Sequence, residues 1–465
     1  MNNRYLSRRK KLLLCRLNST VILKIIVIFI CLTFVIIQYL CFKLFNWSDA
    51  PAPEQTRLYH NLPVTINLQS YSLCHPDEFH LENLTAHYHQ TYPHPDQQVC
   101  FLIEDLDGGT WWSYVSQEFA EILTHLKYLS IQSNITYRSF PTEVALKSVT
   151  NLKQYFLNAC HMNESLPKEE QNPMIILVWN IKRLPWYPMR AQLDALVRET
   201  RTRLLVFIDD LHFTFIGMFH NQQYLFQSIA SEILATYPYL FHNYYQNISS
   251  SRITWLPHAA SIDSFNSINQ SAENLLFVSG ANLKEWYPCR WRAFRLCKTR
   301  QDLVSCLKHP GYGPTMRNDT SYFFGAQRYA SYMRQFVFGL GTCQSVHYAI
   351  AKLFEIPANG LVLVTTDDLV PILARLDLHL NRHFLTINCT STKSLTDEIV
   401  RLKTLPQENL LAIRQQSQEI IFQRHLTTHR AQLVHARLLS HALLATATSV
   451  EQRTQWEQWG RNCQK

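Results

Sequence analysis

The sequence predicts an α/β protein built from two Rossmann-like domains behind an N-terminal transmembrane helix. Three observations support this architecture. Short apolar runs rich in β-branched and aromatic residues alternate with helical patterns from about residue 96 onwards. A small, polar stretch at 258–273 interrupts the alternation, which then restarts. An apolar segment near the N-terminus is long enough to cross a bilayer. Short buried strands that alternate with helices are typical of doubly wound parallel sheets.

The predicted membrane helix covers residues 25–42, in which only Thr33 and Gln38 are polar. At about 1.5 Å per residue, such a helix with its flanks spans a bilayer core. Residues 1–24 are basic and contain no acid, so the positive-inside rule predicts a cytosolic tail and a lumenal body. A cleaved signal peptide is the alternative, but residues 42–45 lack the small side chains of a cleavage site. We expect a single-pass type II protein of the Golgi or endoplasmic reticulum membrane.

Two further features of the sequence agree with a lumenal body. Eight N-glycosylation sequons follow the membrane segment, and they begin at Asn46, Asn83, Asn134, Asn163, Asn247, Asn269, Asn318 and Asn388. Nine cysteines also lie beyond it, in a compartment where disulfides persist. No CxxC pair occurs, so a zinc ribbon is not supported, and the sequence does not determine how the cysteines pair.

The body is predicted to begin after a stem at 43–95, which is rich in Pro, His and Tyr and has no sustained period. The N-terminal Rossmann-like domain is then predicted to cover 96–257. Its predicted strands are Val99–Glu104, Met174–Trp179, Leu204–Ile208 and Ile253–Leu256. Its predicted helices are Tyr114–Leu126, Met189–Arg201 and Tyr224–Tyr237.

A second α/β domain is predicted at 274–446, after a hinge at 258–273 and before a C-terminal tail at 447–465. Its predicted strands are Leu275–Ser279, Phe336–Phe338, Leu361–Thr365 and Phe384–Ile387. Its predicted helices are Cys289–Leu307, Ala326–Arg334 and Ser345–Phe354, followed by a largely helical region at 394–446. Two α/β domains with a hinge between them indicate a cleft enzyme or a bilobal binding protein.

Charge and motif content exclude several functional classes. The net charge is +9, but the residues before Asp49 account for +8 of it, so the body has no basic face for nucleic acid. The sequence contains no GxSxG, GxxxxGK[ST] or HExxH motif. This disfavours an α/β-hydrolase, a P-loop enzyme and a zincin.

The segment 352–360 (KLFEIPANG) is the strongest candidate for ligand binding. A helix ends near Glu355 and Pro357, and Gly360 opens an apolar strand. A carboxylate at the ligand-binding edge of an α/β sheet can accept two hydrogen bonds from a ribose diol. The competing interpretation is a solvated glutamate at a helix end.

A second candidate is the segment 277–295, where a strand ends in Ser279 and Gly280. The next helix carries three arginines, of which Arg290 lies nearest the loop. Backbone N–H groups beside a glycine and a guanidinium group suit a diphosphate. Arg334, which precedes another glycine pair, is a further diphosphate candidate. Exposed arginines on an amphipathic helix are the alternative.

The first domain offers Asp209, Asp210 and His212 directly after a predicted strand. They could bind a metal or act as acid and base, although one of two adjacent aspartates is more often a helix cap. His258 lies at the crossing between the domains, where a cleft is expected. The other histidines show no metal-ligand spacing above chance.

These segments resemble the GT-B glycosyltransferases, and specifically a group-1-like branch that includes spore-maturation-type glycosyltransferases. The resemblance is strongest over 345–437, through KLFEIPANGLVLV and FQRHLTTHRAQLV, and weaker at WLPHAASIDSF, FVSG…YPCR and DDLHF. It implies two Rossmann-like domains, with a nucleotide-sugar donor held mostly by the second.

The resemblance also implies roles for individual residues. Glu355 matches the glutamate that holds the donor ribose, and the conserved-motif positions Lys352 and Gly360 accompany it in the donor site. Arg290 and Arg334 fall where basic residues meet the donor diphosphate. His347 stands where related enzymes carry a glutamate, a departure that bears on the donor-sugar contact.

The implied mechanism needs no metal and no bound cofactor other than the donor itself, because arginine, lysine and backbone dipoles neutralise the leaving diphosphate. His258, His212 or Asp210 would orient the acceptor or the donor sugar. Two alternatives stay open: a metal-dependent GT-A transferase that uses Asp209 and Asp210, and a catalytically silent, membrane-tethered sugar-binding or scaffold protein on the same fold.

Overall fold

The computed structural model describes residues 80–93, 99–105, 115–140, 151–162, 165–179, 186–209, 223–264, 267–308, 326–342 and 347–461. All of them belong to one compact unit, Val64–Lys465. The predicted basic tail, membrane segment and most of the stem lie outside these residues. None of the helices in the described ranges has the length and apolar character needed to cross a membrane.

Two separate, wholly parallel sheets form the framework of the molecule, which confirms the predicted pair of α/β halves. The first sheet has six strands in the order β2-β1-β3-β4-β5-β6, and the second has five in the order β11-β10-β9-β7-β8. The strands of the first sheet are β1 Cys100–Glu104, β2 Tyr137–Phe140, β3 Met174–Val178, β4 Thr202–Ile208, β5 Glu232–Ala235 and β6 Ile253–Trp255.

The second sheet follows directly in the chain. Its strands are β7 Glu273–Gly280, β8 Val304–Lys308, β9 Phe336–Leu340, β10 Val362–Thr365 and β11 Phe384–Thr386. Every predicted strand is therefore confirmed to within two residues at each end. Sequence reasoning missed three strands, β2, β5 and β8.

The helices cover the faces of the two sheets. They are α1 Leu81–Thr91, α2 Val115–Gln132, α3 Leu152–Ala159, α4 Trp186–Glu199, α5 Phe241–Tyr244, α6 Pro288–Leu296, α7 Ala326–Met333, α8 Lys352–Ala358, α9 Val370–Ala374, α10 Thr392–Lys403, α11 Gln407–Arg424, α12 Thr427–Leu444 and α13 Val450–Arg461. Short 3₁₀ turns occur at Lys168–Glu170, Pro238–Leu240, Ser250–Arg252, Ile262–Ser264 and Asp367–Leu369, and a π-helical turn occurs at Leu225–Ile229.

Three predicted helices are wrong in part. The predicted helix Ser345–Phe354 begins only at Lys352 and ends at Ala358. In the other two, a short strand occupies the C-terminal portion. The predicted helix Tyr224–Tyr237 ends at Ile229, and β5 follows it. The predicted helix Cys289–Leu307 ends at Leu296, and β8 follows it. β5 (EILA) and β8 (VSCLK) each contain only three apolar residues. So short a segment fits a strand as well as a helix turn, and local periodicity does not separate the two.

Alternate side chains of the first sheet serve two different hydrophobic cores. Leu102 and Ile176 face the core that contains α3 and α4, whereas Ile175 and Leu177 face the core that contains α2. The second core also contains much of α12, including the fully buried Leu438. The chain thus crosses back from the second sheet to cover the first. Each fully buried leucine contributes about 1.5–3 kcal/mol.

A buried ionic cluster reinforces this crossing. Glu232 of β5 accepts hydrogen bonds from Arg437 Nε at 2.7 Å and from His441 Nε2, and all three side chains are at most 3% exposed. Burial alone would raise the pKa of Glu232, but the neighbouring Arg437 and His441 outweigh burial and hold this pKa well below its usual value.

Within the part of the chain that the structure describes, three disulfides join cysteines whose pairing the sequence left open. They link Cys100 to Cys160, Cys289 to Cys389, and Cys297 to Cys306. The first connects β1 to the end of α3. The other two both connect α6 and its C-terminus to neighbouring elements of the second half.

Candidate functional site

The carboxyl edges of the two parallel sheets face each other. Asp209 follows the last residue of β4, and the Tyr348 hydroxyl, from the loop after β9, donates a hydrogen bond to Asp209 Oδ1. A second tyrosine, Tyr239, donates its hydroxyl proton to the His347 carbonyl at 2.9 Å. Open α/β sheets bind ligands at this edge, so the cleft between the halves is the candidate site.

The second sheet has its topological switch point between β7 and β9, whose chain connections run to opposite sides. Arg290 of α6 spans that point. Its Nη1 donates to the Ala281 carbonyl, just after β7, at 3.3 Å, and its Nη2 donates to the Thr342 carbonyl, just after β9, at 3.0 Å. The guanidinium group is 2% exposed and lies 4.0 Å from the centre of the Tyr287 ring. Arg290 therefore lies at the carboxyl edge of the second sheet, and its contact with a diphosphate stays a prediction.

Gly280 provides the close backbone approach at the same point. Its φ of +102° lies in the region that glycine adopts readily. A Cβ atom there would come within 3.0 Å of Arg290 Nη1 and within 3.0 Å of Lys352 Cε. Two cationic side chains thus converge over a residue that has no side chain, which is a suitable cradle for an anion.

Lys352, the first residue of α8, is held by a short hydrogen-bonded chain. Its Nζ donates to the Tyr329 hydroxyl at 2.7 Å, and that hydroxyl lies 2.7 Å from Ser279 Oγ. Glu355, one turn along α8, places Oε2 3.8 Å from the same Nζ. The structure therefore brings Ser279, Lys352 and Glu355 together, and we call Gly280, Arg290, Lys352 and Glu355 the cationic wall.

Several buried polar atoms at this edge have no hydrogen-bond partner within the described part of the chain. They are Arg290 Nε, Thr342 Oγ1 and Glu355 Oε2. A buried donor or acceptor that is left unpaired costs about 1–3 kcal/mol. Such a concentration of unpaired atoms around a cationic cradle is what a site for a polar, anionic ligand requires.

The opposite side of the cleft, which we call the histidine wall, is formed by Glu118, Asp209 and His258. His258 Nδ1 lies 2.8 Å from Glu118 Oε2, and the Ala259 N–H donates to Glu118 Oε1 at 2.7 Å. His258 Nε2 is hydrogen-bonded to the Tyr348 hydroxyl, and Asp209 Oδ1 also accepts from Thr236 Oγ1 at 2.9 Å. Burial raises the pKa of Glu118, and the adjacent His258 lowers it in part.

Arg430 of α12 supports the histidine wall from behind. Its guanidinium group donates to the carbonyls of Pro257 and His258 at 3.0 and 3.1 Å, and to His425 Nδ1 at 2.9 Å. Burial lowers the pKa of Arg430 to about 9, while the negative charge of Glu118 raises it in part. The chain after β6 is therefore fixed by a helix that is more than 160 residues away in the sequence.

Two residues predicted to bind the donor lie elsewhere. Arg334 precedes β9 and therefore sits at the amino edge of the second sheet, where its carbonyl accepts from Asn269 Nδ2 at 3.0 Å. Gly360 precedes β10 at the same edge, with a φ of +74°, and its carbonyl accepts from Arg414 Nε. Both ends of a parallel strand cannot face one cleft, so the structure does not bring Arg334 or Gly360 together with the cationic wall.

His347 has an ion-pairing partner at the carboxyl edge. Its Nδ1 lies 3.0 Å from Asp368 Oδ2, just after β10. The predicted candidates Asp210 and His212 lie outside the described residues. Within the described ranges, no group of three or more His, Cys, Asp or Glu side chains is arranged to hold a metal ion.

Sequence reasoning missed Glu118, Tyr329, Tyr348 and Arg430. Glu118 and His258 are 140 positions apart, and no local pattern in either segment indicates the other. Arg430 alone had a signal, because it lies within the FQRHLTTHRAQLV segment that carried the resemblance. Arg430 is therefore the missed residue that the sequence could have suggested as a partner for the predicted polar hinge.

Comparison with known proteins gives similarity in structure only. No protein-family description matches the chain, and no curated protein matches its sequence. Among solved structures, Anabaena HepE in complex with UDP and glucose is similar at 11% identity, a TM-score of 0.49, and coverage of 73% of this chain and 99% of that one. A Rickettsia africae glycosyltransferase is similar at 10% identity, a TM-score of 0.47, and coverage of 74% and 99%. Sucrose-phosphate synthase of Thermosynechococcus elongatus is similar at 10% identity, a TM-score of 0.48, and coverage of 72% and 96%.

Proposed function

We propose that this protein is a glycosyltransferase that moves a sugar from a nucleotide-sugar donor to a hydroxyl of a glycan or glycoconjugate acceptor. One observation carries the proposal. At the switch point of the second sheet, two cations converge over Gly280 beside three unpaired buried polar atoms, and this cradle faces the histidine wall across the cleft.

The donor would bind to the cationic wall. Arg290 and Lys352 supply two positive charges for a diphosphate, and the absence of a side chain at Gly280 lets these two side chains pack close together. At the same edge, Arg290 Nε and Thr342 Oγ1 are buried and make no hydrogen bond within the described residues. Each would donate a hydrogen bond to a phosphate oxygen. Glu355, with Oε2 unpaired, would accept hydrogen bonds from the ribose diol.

The reaction itself would take place between the two walls. The acceptor hydroxyl attacks the anomeric carbon, the bond from that carbon to the diphosphate oxygen breaks, and the nucleoside diphosphate leaves with the release of the hydroxyl proton. Arg290 and Lys352 stabilise the negative charge that develops on the leaving group. With two fixed cations at this position, we propose that the enzyme needs no divalent metal. His258 and Asp209 would orient the acceptor or the donor sugar.

We place this activity in the Golgi or endoplasmic reticulum, with the body in the lumen. Three disulfides suit that oxidising compartment. Four of the sequon asparagines are exposed, namely Asn83, Asn134, Asn247 and Asn388. The membrane segment predicted at 25–42 would anchor the protein.

The experiment uses the purified full-length chain and a panel of nucleotide sugars in the presence of EDTA. The proposal predicts release of nucleoside diphosphate from at least one donor, and loss of that release in Glu355→Ala. Glu408→Ala is the matched control, because Glu408 is also in the first turn of a helix but is exposed on α11. Release that persists in Glu355→Ala contradicts the assigned site. No release and no nucleotide binding with any donor favours the catalytically silent alternative.

A further inference from the structure

A continuous chain of four side chains joins the two halves across the cleft. It runs from Glu118 through His258 and Tyr348 to Asp209, and we call it the interlobe array. Tyr348 belongs to the second half, whereas the other three residues belong to the first. Each member is at least four-fifths buried, so water competes little for these hydrogen bonds.

The protons of the array can be counted. Tyr348 has a single hydroxyl proton, which it donates to the Asp209 carboxylate. The hydrogen bond between Tyr348 and His258 Nε2 therefore requires a proton on Nε2. One further proton lies between His258 Nδ1 and Glu118 Oε2 and is shared by that pair. The imidazole is consequently fixed at both nitrogens.

Charged groups of both halves act on the array. Arg430 donates to the His258 carbonyl at 3.1 Å and attracts the Glu118 carboxylate, whereas Glu355 of the second half repels it. The hydrogen bonds of the array favour one arrangement of protons, which is a property of a positioned site rather than of simple packing.

A second tyrosine that joins the two halves, Tyr239, serves as the comparison for Tyr348. Tyr239 also crosses from the first half to the second, where its hydroxyl bonds two backbone groups: it donates to the His347 carbonyl and accepts from the Ala349 N–H at 3.2 Å. Tyr348 differs because its hydroxyl bonds two titratable side chains, His258 and Asp209. Its ring still packs on Tyr237, with centroids 4.0 Å apart.

We propose that Tyr348 is a positioning residue, whose hydroxyl group ties His258 and Asp209 into one arrangement across the cleft and so presents the histidine wall to the cationic wall. The proposal rests on the proposed transferase function for its catalytic consequence. The array itself is independent of that function.

The array is tested first without substrate. Full-length chain labelled with ¹⁵N-histidine should show proton signals at both ring nitrogens of His258, assigned by their absence in His258→Gln. Tyr348→Phe should abolish or shift the Nε2–H signal, while the matched control Tyr239→Phe should leave it in place. Unchanged His258 signals in Tyr348→Phe, or an equal change in Tyr239→Phe, would overturn the proposal.

The catalytic consequence is tested on the same variants. Tyr348→Phe should lower kcat by at least about tenfold while nucleoside diphosphate affinity stays within about twofold of the wild type. An unchanged kcat, or an equal loss of nucleotide affinity, contradicts a positioning role.

If Tyr348→Phe does not fold, Asp209→Asn takes its place, since it removes the charge that accepts the Tyr348 proton and should also shift the His258 signals. If the wild type binds no nucleotide, the proposed function fails and the NMR comparison still decides the array.

Discussion

The two walls of the cleft differ in how fully their polar atoms are paired. On the histidine wall, both nitrogens of His258 and both oxygens of Glu118 have protein partners. On the cationic wall, Arg290 Nε and Glu355 Oε2 are buried and have no hydrogen-bond partner within the described residues, although Lys352 Nζ lies 3.8 Å from Glu355 Oε2. The described residues satisfy the polar atoms of the histidine wall but not those of the cationic wall. We infer that the first wall orients and the second binds.

The largest effect is expected from a substitution that disrupts the histidine wall. Glu118→Ala removes the partner of the buried His258 and of the Ala259 N–H, so the free energy of unfolding should fall by about 3 kcal/mol. Nucleotide affinity should change little, because the cationic wall is untouched. Denaturant unfolding and calorimetric nucleotide titration measure the two quantities.

A matched variant sharpens this test. Glu118→Gln keeps an acceptor for the Ala259 N–H and should lose much less stability than Glu118→Ala. Equal losses in the two variants would mean that shape, and not hydrogen bonding, governs this position.

The next largest effect is expected from a substitution in the cationic wall. Arg290→Ala removes the guanidinium group that spans the switch point between Ala281 and Thr342. Nucleoside diphosphate affinity should fall about a hundredfold, because the proposed site loses one of its two positive charges and the unpaired Nε donor. Arg295→Ala is the control, because Arg295 is on the same helix but exposed, with its guanidinium carbon 4.9 Å from the Trp291 ring centre. Equal affinity losses for both arginines would indicate a diffuse electrostatic effect and not a site.

A smaller effect concerns the acid sensitivity of the first half. Burial lowers the pKa of His435 and of His441 to about 4, from an ordinary 6.5, and both lie on α12 where it covers the first sheet. These groups are neutral in the fold, so their stabilising contribution is present above pH 6.5 and is lost as the pH falls towards 4. Between pH 7 and pH 5, each should reduce the free energy of unfolding by on the order of 1–2 kcal/mol.

Unfolding curves at the two pH values measure this loss. His435→Gln should retain less of the pH dependence than the wild type, because one of the two groups is gone. A pH dependence that is the same in His435→Gln and in the wild type would contradict the assignment.

The smallest effect concerns glycosylation. It compares one sequon asparagine in each half, Asn134 and Asn269. Asn134 is exposed at the end of α2, whereas Asn269 donates its amide to the Arg334 carbonyl at 3.0 Å and is partly buried. We expect Asn134 to be glycosylated and Asn269 to remain unmodified when the chain is expressed in the secretory pathway. Glycosidase-shifted mass spectrometry of the two peptides checks this, and the reverse pattern would contradict it.

The cationic wall was predictable from the sequence, and the reason is local geometry. Arg290 lies ten residues after Gly280, and Glu355 lies three after Lys352, so one strand–loop–helix unit presents each pair. The same kind of reasoning also selected Arg334 as a diphosphate candidate. Nearness to a glycine pair, however, does not reveal which end of a strand a residue occupies. The structure places it before β9, at the edge away from the cleft.

The histidine wall was predictable at His258 and Asp209 but not at Glu118, and the contacts of His258 were not predictable. Its partners come from α2 and from the loop after β9, at separations of 140 and 90 residues. Contacts of that range depend on how the two sheets meet, which no periodicity encodes. The strands β2, β5 and β8 were missed for a related reason, since neighbouring strands rather than local pattern define a short buried strand.

The central claim is that the unpaired atoms of the cationic wall are the binding site of a nucleoside diphosphate. Calorimetric titration of UDP, GDP and ADP into the full-length chain, with EDTA present, tests it most directly when the wild type is compared with Glu355→Ala. The account predicts saturable binding of at least one nucleotide to the wild type, weakened about tenfold or more by the substitution. Equal affinity in the two proteins, or no binding of any nucleotide, would contradict it.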